Sequence, residues 1–259
     1  MNCIDLISAK TAFNRFLQSY TNTNDPGFQL KVVHTFHVVE NAKMLAELLQ
    51  LPEEDCRLAQ LIALLHDIGR FEELKITSEL NNLHFDHASY GVKMLFEDGM
   101  IRDYIAVDYY DEIIQAAILH HNKKEIPENV GGKSVLHAQL IRDADKLDNF
   151  RVKIEEPTEN LFPGRVNSIQ AMEESAISAK VLEDLLSENS VDIRDRITPL
   201  DYYVTILGFV FDLNFKESKK IVLQKDYINL MIDRYLYKNK NTGMQMEQIR
   251  SCILDFLNR

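Results

Sequence analysis

The stretch Leu61-Ile-Ala-Leu-Leu-His-Asp-Ile-Gly-Arg70 decides how the rest of this chain is read. Leu61, Ile62, Leu64 and Leu65 can bury a helix from several sides, so the segment ends inside the protein. His66 and Asp67 fall in its last turn. Asp is a poor helix former and is mostly found on surfaces. A carboxylate and an imidazole carried together into a core need a partner, and a metal cation satisfies both. Gly69 then reads as the end of the helix, because Gly is common just past a C-terminus. Arg70 leaves a cation beside the pair.

The 259 residues allow one large domain or two small ones and are enough to bury a sizeable core. Helix formers abound, Gly is scarce and no strand-like alternation stands out, so the expected fold class is all-α. The net charge of -11 argues against a nucleic-acid polymer as partner, which needs a basic face. It leaves room for a small anionic substrate held by a metal and a few local cations. Cys3, Cys56 and Cys252 are far apart and lack Cys-x-x-Cys spacing, as in reduced thiols of a cytoplasmic protein. Neither a signal pattern nor a membrane-length apolar run is present, so no membrane partner is expected.

In chain order, residues 3–19 read as an amphipathic helix and Thr21–Gly27 as a loop. A helix over 28–49 carries His34, His37 and Asn41 at i, i+3 and i+7, on one face. Pro52 with Glu53, Glu54 and Asp55 opens the next helix, which runs to His66-Asp67. Beyond Asn81-Asn82 come helices over His87–Phe96 and Tyr109–Asn122, the latter with His120-His121 near its end. Ser134 suits the N-cap of a helix to Lys153 that contains Arg142-Asp-Ala-Asp145-Lys-Leu-Asp-Asn149. Breaks at Glu156-Pro157 and Pro163-Gly164 precede further helices near 167–187, 199–213, 216–238 and 244–258. All eight histidines lie between positions 34 and 137. The domain reading is therefore an N-terminal helix and loop over 1–27 packing on the core, a metal-binding core over 28–156 and a C-terminal helical extension over 157–259 within the same globule.

Each of these residues has a bland explanation when taken alone. A single His on an apolar helix is usually a hydrogen-bonded core residue, and Asp145 could pair with Arg142. The set changes that. Four separate helices each deliver His or Asp, near 34, at 66–67, at 120–121 and at 145, and His87 adds a fifth element. Imidazole and carboxylate without thiolate suit Fe, Mn, Zn, Ni or Co. Helical bundles build such sites from side chains on facing helices.

The order His34, His66-Asp67, His87, His120-His121, Asp145 resembles the HD-domain superfamily of metal-dependent phosphohydrolases over about residues 28–152. Lys31-Val-Val-His34 followed by Val38-Val39 is similar to the family's first-ligand helix. The third residue after that His is often Arg; here it is His37, which leaves its role open. Leu64-Leu-His-Asp-Ile-Gly-Arg70 is close to the central motif, and Ile141-Arg-Asp-Ala-Asp145-Lys-Leu-Asp148 looks like the final-Asp helix.

The resemblance implies an HD-type helical bundle with a first metal held by His34, His66, Asp67 and Asp145. In two-metal branches Asp67 also bridges to a second metal, and the matching positions are His87, His120 and His121. Their presence implies a pair of divalent transition-metal ions, with Asp67 at the catalytic centre. Whether both His120 and His121 bind metal, or one orients the other, stays open. Arg70 matches a position where cyclic-dinucleotide branches carry a phosphate-contacting Lys. Lys146 either contacts substrate or pairs with Asp148. His84 and His37 are candidates to face substrate or are simply solvated, and His137 reads as structural.

The activity implied is hydrolysis of a small phosphoester, such as a nucleotide, by metal-activated hydroxide. Two branches fit poorly. Asn122-Lys-Lys-Glu-Ile-Pro-Glu128 follows the paired histidines where the cyclic-di-GMP branch has a Gly-Tyr-Pro stretch. Arg70-Phe-Glu-Glu-Leu74 stands where the deoxynucleoside triphosphohydrolase branch is Pro-rich. Two other readings use the same residues: a mixed-valence di-iron oxygenase of the HD type, and a noncatalytic nucleotide-binding module. Phe162-Pro-Gly164 and Tyr202-Tyr203 could cover the site or be packing, and the aromatic-rich helix Tyr202–Phe215 could support a homodimer.

Overall fold

A computed structural model of the chain describes residues 4–21, 23–78, 84–161 and 168–259. Its described residues are helical with no strand, in line with the all-α expectation. Two compact units are present, Met1–Asp145 and Lys146–Arg259. The sequence pattern breaks at Glu156-Pro157, but the division between units falls inside a continuous helix. No helix among the described residues is long and apolar enough to cross a membrane.

In the first unit α1 (Leu6–Gln18) starts at Asp5, whose carboxylate accepts from the Ile7 and Ser8 amides. Asp25 caps α2 (Pro26–Leu48), with Pro26 in its first turn, where a missing N–H costs nothing. Pro52 and three acids open α3 (Glu53–Leu65). Leu58, Leu61, Ile62 and Leu65 of α3 are fully buried, and its most extensive packing is against α2. Phe13, Phe28 and Phe71 bring α1, α2 and α4 (Ile68–Thr77) into one aromatic cluster, with ring centroids 5.9 Å apart for Phe13–Phe71 and 5.2 Å for Phe28–Phe71.

The opening stretch is therefore two helices and a joint. α3 stops at Leu65, Asp67 takes φ -107 and ψ 19, and α4 begins at Ile68. Gly69 does not end a helix, as its position suggested; it lies inside α4. A Cβ there would stand 2.1 Å from the His87 carbonyl oxygen and 2.9 Å from the Gly91 amide. Gly69 and Gly91 thus let α4 and α5 (His87–Val92) touch backbone to backbone. A π-helical turn, Lys93–Glu97, continues α5. α6 spans Asp111–His120 and α7 spans Gly132–Glu155. α7 starts two residues before Ser134, so Ser134 lies within the helix and not at its cap.

In the second unit the expected long helices are broken into shorter ones. Residues 167–187 give α8 (Ile169–Glu174) and α9 (Ala179–Leu186). The reason is Asp201 at the start of α10 (Pro199–Val204), which is buried and accepts from the Ser178 amide at 2.8 Å and the Ser178 hydroxyl at 2.5 Å. It also completes a capping box with Thr198. A 3-10 segment, Leu207–Asp212, follows α10. Residues 216–238 split into α11 (Lys216–Gln224) and α12 (Tyr227–Ile232) at Asp226, whose φ is +55. α13 (Lys240–Leu257) ends the unit. Tyr203 is fully buried and donates to the Met231 carbonyl at 3.0 Å, so it serves packing within this unit. Pro163-Gly164, Phe162, Asn81-Asn82 and Cys3 lie outside the described residues.

Candidate metal centre

Six side chains from five parts of the first unit form one cluster centred on Asp67. His34 comes from α2, His66 and Asp67 from the joint between α3 and α4, His87 from the first turn of α5, His121 from the end of α6, and Asp145 from α7. The two oxygens of Asp67 face different neighbours. Oδ2 lies 3.9 Å from His34 Nε2 and 3.6 Å from His66 Nε2. Oδ1 lies 3.3 Å from His87 Nε2 and 3.5 Å from His121 Nε2, and those two nitrogens are 3.2 Å apart. Asp145 Oδ1 stands 3.0 Å from His34 Nε2. Two groups result, His34/His66/Asp67 and Asp67/His87/His121, each with its ligand atoms within 4.8 Å of one another.

The histidine tautomers follow from the helix ends. His66 Nδ1 is 2.7 Å from the Ala63 carbonyl, and His121 Nδ1 is 2.7 Å from the Ile118 carbonyl. A carbonyl only accepts, so each Nδ1 carries the hydrogen and each Nε2 keeps its lone pair when the ring is neutral. Burial pushes the His66 imidazole down to about 4, against the pull of Asp67 and Asp145, so the ring is neutral near pH 7. Burial, aided by Arg70, also holds His87 well below the usual histidine range. For Asp67 burial opposes ionisation, yet the Lys31 ammonium, followed by His66, His121 and His87, holds the carboxyl well below its usual range. Asp145 is likewise ionised: its burial is outweighed by the hydrogen bond and charge of His34.

His66 Nε2 is completely buried and has no hydrogen-bond partner among the described residues. Leaving a buried acceptor unmet is costly, and a cation beside Asp67 Oδ2 would meet it. The donors are imidazole nitrogen and carboxylate oxygen, which suits borderline divalent metals. The residues present thus fit divalent cations, with His34, His66, Asp67 and Asp145 around one and Asp67, His87 and His121 around another.

Two cations border the same carboxylate. Arg70 Nε lies 3.6 Å from Asp67 Oδ1, while its Nη1 lies 2.6 Å from Glu73 Oε2. Lys31 Nζ lies 2.8 Å from Asp67 Oδ2. The roles of Lys31 and Glu73 were not read from the sequence. A signal existed in each case: Lys31 precedes His34 by three residues and Glu73 follows Arg70 by three, so each shares a helix face with a residue already singled out.

Several candidates are not brought into the two groups. His120 is half-buried and lies outside both. Successive helix positions turn by about 100°, so neighbours such as His120 and His121 face different ways, and here His121 faces Asp67. The His120 carbonyl instead accepts from Arg142 at 3.1 Å. His37 is exposed on α2 although His34 is buried, which separates residues expected to share a face; His84 is exposed as well. Lys146 is buried and reaches Asp212 at 2.7 Å, whereas Asp148, its expected partner, takes Arg151 at 2.6 Å. Arg142 directs donors at carbonyls, with Nη2 3.1 Å from that of Lys124. His137 is buried and lies 3.3 Å from Asp55, a structural placement.

Residues 32–149 match the family model of the HD domain, a segment that contains all six converging side chains. No curated protein and no solved structure matches the chain. HD-domain proteins bind divalent metals and are generally metal-dependent hydrolases. Residues 32–149, a little under half of the chain, are thus similar to the HD domain, in agreement with the resemblance carried by the sequence.

Proposed function

We propose that the chain hydrolyses a small phosphoester, a nucleotide or a related compound, using two divalent transition-metal ions. The observation that carries this reading is the divided carboxylate of Asp67, with one oxygen toward His34 and His66 and the other toward His87 and His121. Bound at those donors, such cations supply Lewis-acid chemistry, lowering the pKa of water and neutralising charge on a phosphate. The chain's own contribution is position and charge. Asp67 is the spacer between the two donor groups. His66 and His121, locked by the Ala63 and Ile118 carbonyls, keep their lone pairs aimed inward. Glu73 fixes Arg70, so a guanidinium stands ready for a phosphate oxygen. Asp145 keeps 23% of its side chain exposed, which marks an open side to the centre. A cytoplasmic setting belongs to the same reading, supported by Cys56 and Cys252 being free thiols.

The test is turnover by purified protein reconstituted with Mn²⁺, Zn²⁺, Ni²⁺, Co²⁺ or Fe²⁺, against an aryl phosphate and a broad nucleotide panel. Phosphate release that depends on the metal is the expected result. Silence across the panel overturns the reading. So does substrate-dependent oxygen uptake with a coupled di-iron EPR signal, which is the outcome of an HD-type oxygenase.

A further inference from the structure

The two cations beside Asp67 are not equivalent. Arg70 has a carboxylate of its own in Glu73, which is fully buried. Lys31 has Asp67 as its single ion-pair partner among the described residues, and it meets the oxygen that faces His34 and His66. Lys31 also keeps 16% of its side chain exposed, against 3% for His34 and 0% for His66. On this side of Asp67 the Lys31 side chain is thus closer to solvent than either ring.

We infer that Lys31 contacts an anionic oxygen of the substrate, and that the site favours a dianionic phosphate monoester over a phosphodiester. This rests on the metal-dependent reading above. With the Asp67 oxygens committed to cations on both sides, the Lys31 ammonium has its counter-ion shared away. Positive charge around the centre then exceeds that of Asp67, Asp145 and Glu73. A monoester dianion balances more of this excess than a singly charged diester does. The chain as a whole carries a net charge of -11, so an anion approaches against the general field and must be captured locally. A compact ammonium on a flexible stem suits that task, since it can follow a phosphate oxygen without demanding a fixed fork geometry.

The experiment titrates inorganic phosphate into the Mn²⁺-loaded full chain by calorimetry, for wild type, K31M and K31R, with manganese content measured on each sample. The expected result is phosphate affinity lower by roughly tenfold or more in K31M, with manganese content unchanged and affinity largely restored in K31R. Wild type should also hydrolyse p-nitrophenyl phosphate in preference to bis(p-nitrophenyl) phosphate, and K31M should narrow that ratio. Unchanged phosphate affinity in K31M overturns the inference alone. Loss of manganese together with phosphate also overturns it, because Lys31 would then act only by orienting Asp67. A loaded wild type that neither binds phosphate nor cleaves either ester overturns this inference together with the hydrolase reading.

Discussion

Two buried carboxylates twelve positions apart, Asp55 and Asp67, each gather lysine and histidine, yet among the described residues only Asp67 stands in a group that could hold a metal. Asp55 is covered by a single ammonium on both oxygens, with Lys133 Nζ at 2.8 and 3.0 Å, and by one imidazole, His137, at 3.3 Å. Its charge is answered within the protein. Asp67 has an ammonium on one oxygen and four imidazoles around it. Two of those rings are forced by backbone carbonyls to present a lone pair. What separates the two acids is the number of convergent lone pairs, not burial or the presence of histidine.

The largest expected effect comes from removing each acid in turn. Asp67→Ala should empty both donor groups of metal, as read by elemental analysis, while far-UV circular dichroism keeps most of its helical signal. Asp55→Ala should leave metal content intact and lower stability to urea by about 1–3 kcal/mol, the usual cost of leaving a buried polar partner unmet. Full metal retention in Asp67→Ala would break the comparison outright.

Gly69→Ala comes next. Its new methyl would stand 2.1 Å from the His87 carbonyl, so α4 and α5 must separate. A loss of about 1–3 kcal/mol, typical of overpacking, is expected. Metal at the His87/His121 group should weaken more than at the His34/His66 group. Equal weakening of both would show that α5 does not control one half alone.

Arg142→Met tests the same half from another side. Arg142 bonds the carbonyls of His120, Lys123 and Lys124 at the end of α6, just where His121 leaves the helix. The His120 carbonyl belongs to the unsatisfied end of the helix, and those of Lys123 and Lys124 to the turn that follows it. Their loss should cost about 1–2 kcal/mol, with the metal nearest His121 the first to dissociate on dilution. Unaltered metal stoichiometry would confine Arg142 to fold stability.

The smallest effect is a pH dependence at Asp55. Burial holds His137 below its ordinary value of 6.5, although Asp55 pulls the other way. The unfolded chain therefore takes up this proton before the folded one does. Stability from His137 is complete above about 6.5 and falls as the pH drops below it. Asp55 behaves as a depressed carboxyl: burial opposes ionisation, but Lys133 and His137 outweigh it. Its contribution is present above its ordinary value of 3.8 and is lost as the pH falls through the lower folded value. Urea melts of metal-free protein between pH 7.5 and 5.5 should show a shallower slope in His137→Gln than in wild type. An identical slope would remove His137 from the titrating set.

Much of the first unit was legible in the sequence. The apolar run before His66-Asp67 announced a buried helix end, and Pro52 with its three acids announced where that helix begins. His34, His66, Asp67, His87, His121 and Asp145 were all candidates before their geometry was known. Less legible was anything set by contacts between elements. The use of Gly69 depends on α5 crossing α4, which no local pattern encodes. The choice of His121 over His120 depends on how α6 is rotated. Lys31 was given no role of its own, since its pairing with Asp67 depends on how α2 meets the joint between α3 and α4. In the second unit, the buried Asp201 drew Ser178 out of helical geometry from 23 positions away, so one expected helix became two.

The divided carboxylate of Asp67 has one more consequence, which concerns thermodynamic coupling. A single rotatable group serves both donor sets, so whichever cation arrives first fixes the orientation that the second must accept. By linkage the second cation then alters the hold on the first by the same factor. On the two-cation reading proposed above, a metal titration should therefore give two unequal, mutually dependent affinities instead of one repeated value. The partly filled protein then becomes a distinct species, with its own stability and its own response to chelators.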